Sequence, residues 1–114
     1  MYTYKAQIER VVDGDTFIAV IDLGFDTFQR HTFRLYGVDT PETYRPKSEN
    51  ERVLGEKATE FVRDLIEHRS VTVITHNDKQ GKYGRYLAEV HTSKGYLSEL
   101  LKENKLTKSD VTNA

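Results

Sequence analysis

The chain has 114 residues, 37% of them apolar and 31% charged, with 7 Tyr, 5 Phe and no Cys. That length holds one domain with one hydrophobic core and excludes two, and the lack of Cys excludes a disulfide scaffold, a thiol nucleophile and a thiolate zinc site. A formal net charge of −1 argues against a protein held on nucleic acid by bulk electrostatics alone.

The first forty residues read as three strands. Tyr2, Tyr4, Ala6 and Ile8 alternate with polar residues, Asp13-Gly14-Asp15 is a turn signal, and Thr16 to Ile21 is β-branched and aromatic. A turn around Gly24 then leads to a third strand from Phe28 to Tyr36. Three short consecutive strands predict a meander. Gly37 to Lys47 carries both prolines and no apolar periodicity, so it is a loop of about eleven residues, near the length at which loops tend to be functional.

Ser48 with Glu51 three positions on is a capping-box pattern, and Val53, Leu54, Ala58, Phe61, Val62, Leu65 and Ile66 follow at helical spacing. The spacing predicts a helix over Glu49 to His68, with His68 and Arg69 suited to its negative end. Val71 to Thr75 is a strand, Asn77 to Gly84 a polar turn-rich connection, and Tyr86 to His91 another strand. Tyr96, Leu97, Leu100 and Leu101 mark a short second helix ending near Asn104, and the remainder reads as a frayed tail. The expected organisation is one domain over 1–106 and a disordered tail over 107–114.

This order fits an α+β fold built on a small five-stranded Greek-key barrel of the OB type, with a helix between strands three and four and a short C-terminal helix. Element order alone also permits other small α+β folds. The longest uncharged apolar run, Thr16 to Ile21, is far short of the ~20 residues that cross a bilayer, and the N-terminus has no signal-peptide pattern. No membrane partner is expected. The setting leans to the cytoplasm, with a mature secreted domain as the alternative.

Two carboxylate clusters stand at strand ends, Asp13-Gly14-Asp15 and Val38-Asp39-Thr40-Pro41-Glu42. In a small barrel they can meet, and Asp15 and Asp39 then offer hard oxygen ligands of the kind calcium and magnesium take, with a loop carbonyl to complete the shell. Each Asp is otherwise a turn-former bonding its own backbone. Arg34 closes the third strand and Arg85 opens the fifth, so two guanidiniums at one site would hold a phosphate and stabilise added charge. The plainer reading makes them solvated strand-end residues. Glu42, next to Pro41, is placed to take a proton from an attacking water or is a surface carboxylate. Charge agrees in outline, with an excess of acid through Thr40 and of base from Val71 to Tyr96. No His spacing suits zinc and no Ser sits in a G-x-S-x-G context, so zinc hydrolase and serine hydrolase readings fall away.

Four strings together, V-V-D-G-D-T (Val11 to Thr16), R-L-Y-G-V-D-T-P-E (Arg34 to Glu42), G-E-K-A-T-E-F (Gly55 to Phe61) and K-Y-G-R-Y-L-A (Lys82 to Ala88), closely resemble the staphylococcal nuclease family. The resemblance runs from about Ile8 to Leu101. It implies the OB barrel and hydrolysis of DNA and RNA phosphodiesters at the bond to the 5′ oxygen, leaving 3′-phosphate ends. It further implies that Asp15, Asp39 and the Thr40 carbonyl bind a catalytic calcium (Ca2+), with Asp13 supporting the site from behind. Glu42 matches the glutamate that activates or orients water, Arg34 and Arg85 the arginines on the scissile phosphate, and Lys82 and Tyr83 the contacts to a neighbouring phosphate.

The expected activity is therefore a calcium-dependent nuclease of low sequence specificity, since no base-reading element is visible. A monomer is expected. The alternative is a non-catalytic OB-fold nucleic-acid-binding module, which would have lost part of the metal, base or arginine set. Longer members of the family carry, past the second helix, tyrosines near the nucleotide base and a third helix. Thr107 to Ala114 matches neither.

Overall fold

The computed structural model describes residues 2–80 and 85–111, residues 77–80 by backbone alone. Strands β1 (Tyr2–Asp13), β2 (Thr16–Asp22) and β3 (Phe28–Leu35) precede helix α1 (Glu49–Ile66). Strands β4 (Ser70–Gln80), β5 (Tyr86–Thr92) and the two-residue β6 (Gly95–Tyr96) lead into helix α2 (Leu97–Glu103). The first three strands form the expected antiparallel meander.

β1 is long enough to serve two neighbours. Its first half, Tyr2 to Gln7, pairs with β4, and Ala6 to Asp13 pairs with β2. Register shifts between Ile8 and Arg10 and between Val11 and Asp13 bend it between the two, as bulges do. The bend frees the Val11 N–H, which the Glu67 carboxylate accepts at 2.8 Å. A parallel pairing of β3 with β5 (Phe33 to Tyr86, Leu35 to Ala88) closes the sheet, giving the five-stranded OB-type barrel with β6 added outside.

Inward positions alternate along each strand, so Ala6, Ile8, Phe17, Ala19, Ile21, Phe33, Leu35, Val73, Ala88 and Val90 fill the interior. Ala58, Val62 and Ile66 form the buried stripe of α1, and Leu97, Leu101 and Leu106 complete the core from the C-terminal side.

Three boundaries differ from the sequence reading. α1 ends at Ile66 because His68 adopts φ +61°; its N–H donates to Ile8 and Arg69 accepts from Ile8, each at 2.9 Å. The stretch from Asn77, expected as a turn, continues β4 to Gln80, which pairs with Tyr86 after a register shift. The ladder there is carried by backbone hydrogen bonds, which apolar periodicity does not report. Thr107 to Val111, expected within a disordered tail, instead holds a 3-10 turn (Lys108–Asp110). Thr107 is buried, and its hydroxyl and N–H both donate to the Asp110 carboxylate.

Candidate active site

Register brings the first site residues together. Thr16 pairs with Arg34 across β2 and β3, and Leu35 donates its N–H to the Asp15 carbonyl at 2.8 Å. The turn between β1 and β2 therefore lies beside the end of β3. Asp15, only 8% exposed, accepts at Oδ2 from Arg34 Nη2 at 3.2 Å and from the Thr40 N–H at 3.0 Å. The same Arg34 Nη2 also holds Asp39 Oδ1. Arg85, just before β5, donates from Nη1 to Thr16 Oγ1 at 3.4 Å.

Asp13, Asp15, Arg34, Thr40, Pro41, Glu42 and Arg85 line one cleft of about 130 Å³. Asp39 stands at its rim, its side chain 65% exposed, and lines a neighbouring depression with Arg34 and Leu87. Lys82 and Tyr83 lie outside the described residues. A larger groove of about 780 Å³ runs past Gln7, Val71 and His91, but Asp22 is its one carboxylate among the described residues. Chemistry, and not size, selects the smaller cleft.

Burial, then the adjacent Asp15, pushes the Asp13 carboxyl above the usual carboxylate range. Burial acts on Asp15 in the same direction, but the hydrogen bond with Asp13, the Thr40 N–H and the Arg34 charge outweigh it and hold that carboxyl below its usual range. The two close carboxylates thus part in opposite directions, Asp15 holding its charge more firmly and Asp13 taking a proton more readily than a free carboxyl. Arg34 is half-buried; its ion pairs with Asp15 and Asp39 outweigh the desolvation that would weaken its charge.

Among the described residues, no three His, Asp or Glu side chains form a ready cage for a metal. Asp15 and Asp39 nevertheless converge on one cationic nitrogen, so two carboxylates already face a common point of positive charge. Thr40 brings its backbone into the same place. The carboxylate oxygens of Asp15 and Asp39 are of the kind calcium or magnesium takes, with water able to complete the shell.

Four positioning contacts were not assigned from the sequence. A Cβ on Gly14 would stand 2.8 Å from the Thr40 side chain, and one on Gly55 would stand 2.8 Å from the Pro41 carbonyl and 3.0 Å from that of Glu42. The 41–42 loop therefore rests directly on the backbone of α1. Glu51 has two uses: its N–H donates to the capping Ser48 Oγ at 3.1 Å, while its carboxylate accepts from the N–H of Lys47 at 2.6 Å and, at 3.5 Å, from that of Glu42. Lys108 donates its N–H to the Asp39 carbonyl at 2.8 Å. Glycine inside a helix, where it costs about 1 kcal/mol relative to alanine, was the available signal for Gly55. Nothing local marks Lys108.

The family model for staphylococcal nuclease homologues matches residues 32–109. The thermonuclease of Staphylococcus hyicus is 32% identical over 107 residues, covering 94% of this chain and 59% of its own length. That of Staphylococcus intermedius is 33% identical over 107 residues, covering 94% of this chain and 57% of its own length. Endonuclease YhcR of Bacillus subtilis is 34% identical over 97 residues, covering 81% of this chain and 8% of its own length. The chain thus spans little more than half of the two thermonucleases and a small part of the third relative. With most of its length matched to one family model, and that match taking in Arg34, Asp39, Thr40, Glu42 and Arg85, the chain belongs to the staphylococcal nuclease family.

Proposed function

We propose that this chain is a calcium-dependent phosphodiesterase that hydrolyses DNA or RNA with low sequence specificity and leaves 3′-phosphate ends. The observation that carries the reading is the single cleft in which a buried carboxylate, two guanidiniums and Glu42 face one another. A phosphate entering it competes with Asp15 and Asp39 for Arg34 and meets Arg85 from the other side. Planar two-point contact orients the phosphate, and the two charges stabilise the extra negative charge of the pentacoordinate transition state.

Glu42 takes the proton of the attacking water as the new O–P bond forms. The bond from phosphorus to the 5′ oxygen then breaks, and that oxygen leaves with a proton from solvent. Asp15, Asp39 and the Thr40 carbonyl would hold the calcium, and Asp13 supports Asp15 from behind. When bound, the cation supplies positive charge to a phosphoryl oxygen and to water. By family resemblance, Lys82 and Tyr83 contact a neighbouring phosphate.

Incubation of unstructured DNA with calcium and with chelator tests the reading. Degradation is expected with calcium alone, and Glu42→Gln should lower turnover by ~100-fold with much smaller loss of DNA affinity. DNA that is bound but not degraded would favour the non-catalytic module; near-normal turnover in Glu42→Gln would reject Glu42 as the base.

A further inference from the structure

The neighbouring depression has a flat aromatic wall. The Tyr36 and His76 rings are stacked, with centroids 4.0 Å apart and planes 9° from parallel, yet Tyr36 remains 46% exposed. Barrel closure sets this pair. Leu35 and Thr75 both pair with Ala88, and all three point into the core. Side chains alternate along strands, so Tyr36 and His76, one residue further on, share the outer face.

Tyr36 lines a depression of about 280 Å³ with Arg34, Gly37, Val38, Asp39 and Leu87. Gly37, at φ +84°, occupies a conformation that favours glycine and has open space where a side chain would be. The hollow therefore has a cationic edge at Arg34, an apolar floor at Leu87 and an aromatic wall at Tyr36. His76 already holds that wall in place, so a ligand stacking on it orders little that is not ordered beforehand.

We propose that Tyr36, backed by His76, is a stacking platform for an unpaired base of the nucleotide whose phosphate Arg34 holds. The inference rests on the nuclease reading of the cleft and extends it to the substrate's form. Arg34 lines both hollows, so a phosphate on it sets the attached base beside Tyr36. Stacking tolerates every base, since each has a π-face, and it requires the base to be out of a duplex. The platform thus selects single strands without reading sequence.

The test is binding of a short single-stranded oligonucleotide, with calcium, to the Glu42→Gln protein alone and carrying Tyr36→Ala, Tyr36→Trp or His76→Ala. Tyr36→Ala should weaken binding about 10- to 100-fold, the range of a lost base stack, and Tyr36→Trp should retain it. His76→Ala should give a smaller loss. With an oligonucleotide lacking its bases, the Glu42→Gln protein and its Tyr36→Ala derivative should bind equally. Undiminished binding in Tyr36→Ala, or an equal loss on the base-free strand, overturns the platform and leaves the nuclease reading standing. If neither the Glu42→Gln protein binds nor the parent degrades the strand, the nuclease reading fails and the platform with it.

Discussion

Gly55→Ala separates the helix from the loop it supports. In an exposed helix the change would stabilise by about 1 kcal/mol. Here the new Cβ would stand 2.8 Å from the Pro41 carbonyl oxygen, against an ordinary contact of 3.4 Å or more. Both this oxygen and that of Glu42 are backbone atoms, so relief requires the 41–42 segment to move by about 0.6 Å, with an overpacking cost of about 1–3 kcal/mol. The net effect is a loss of about 0–2 kcal/mol, which at ~4 °C per kcal/mol lowers the melting midpoint by up to about 8 °C. The same shift carries Glu42 out of line. Since a misplacement of ~1 Å can cost ~100-fold, about 0.6 Å should lower kcat by roughly 10-fold. Thermal melts and steady-state cleavage of single-stranded DNA measure both. A raised midpoint with parental kcat would refute the claim that the position of the 41–42 loop depends on its contact with α1.

Arg34→Lys and Arg85→Lys should each lose rate while staying folded, because an ammonium cannot make planar two-point contact with phosphate; unchanged kinetics in both would return these residues to a solvated role. Calcium at about one hundred times its dissociation constant should stabilise the parent by about 2.7 kcal/mol. Asp39→Asn should lose most of that gain, and an equal rise in its melting midpoint would place the cation elsewhere. At the C-terminal turn, the Thr107 hydroxyl and then its N–H hold the Asp110 carboxyl below its usual range. A depressed carboxyl contributes stability that is full above its unfolded pKa and is lost as pH falls through the folded one. Hydrogen exchange at the Lys108 amide, corrected for its intrinsic rate, should therefore quicken on acidification in the parent and lose that dependence in Asp110→Asn. Matching pH profiles would show that the turn does not hold Lys108 on Asp39.

The charged residues that line the cleft were legible in the sequence because their types and strand-end positions are local properties. D-G-D needs a turn, Arg34 closes the third strand, and Ser48 with Glu51 announces a helix start. Period-two spacing likewise marked Ala6 and Ile8, and helical spacing Ala58, Val62 and Ile66, all of them buried, while Tyr2 and Val53 of the same two patterns are exposed. Spacing does not say which segments pair across the chain. β1 divides itself between β2 and β4 through bulges, and the parallel contact of β3 with β5 closes the barrel. That closure stacks Tyr36 on His76. Tertiary packing also set Gly55 under the Pro41 and Glu42 carbonyls and Lys108 on Asp39. Those contacts depend on backbone groups that every residue carries, so they leave no signature in side-chain patterns and arise only when distant segments are packed together.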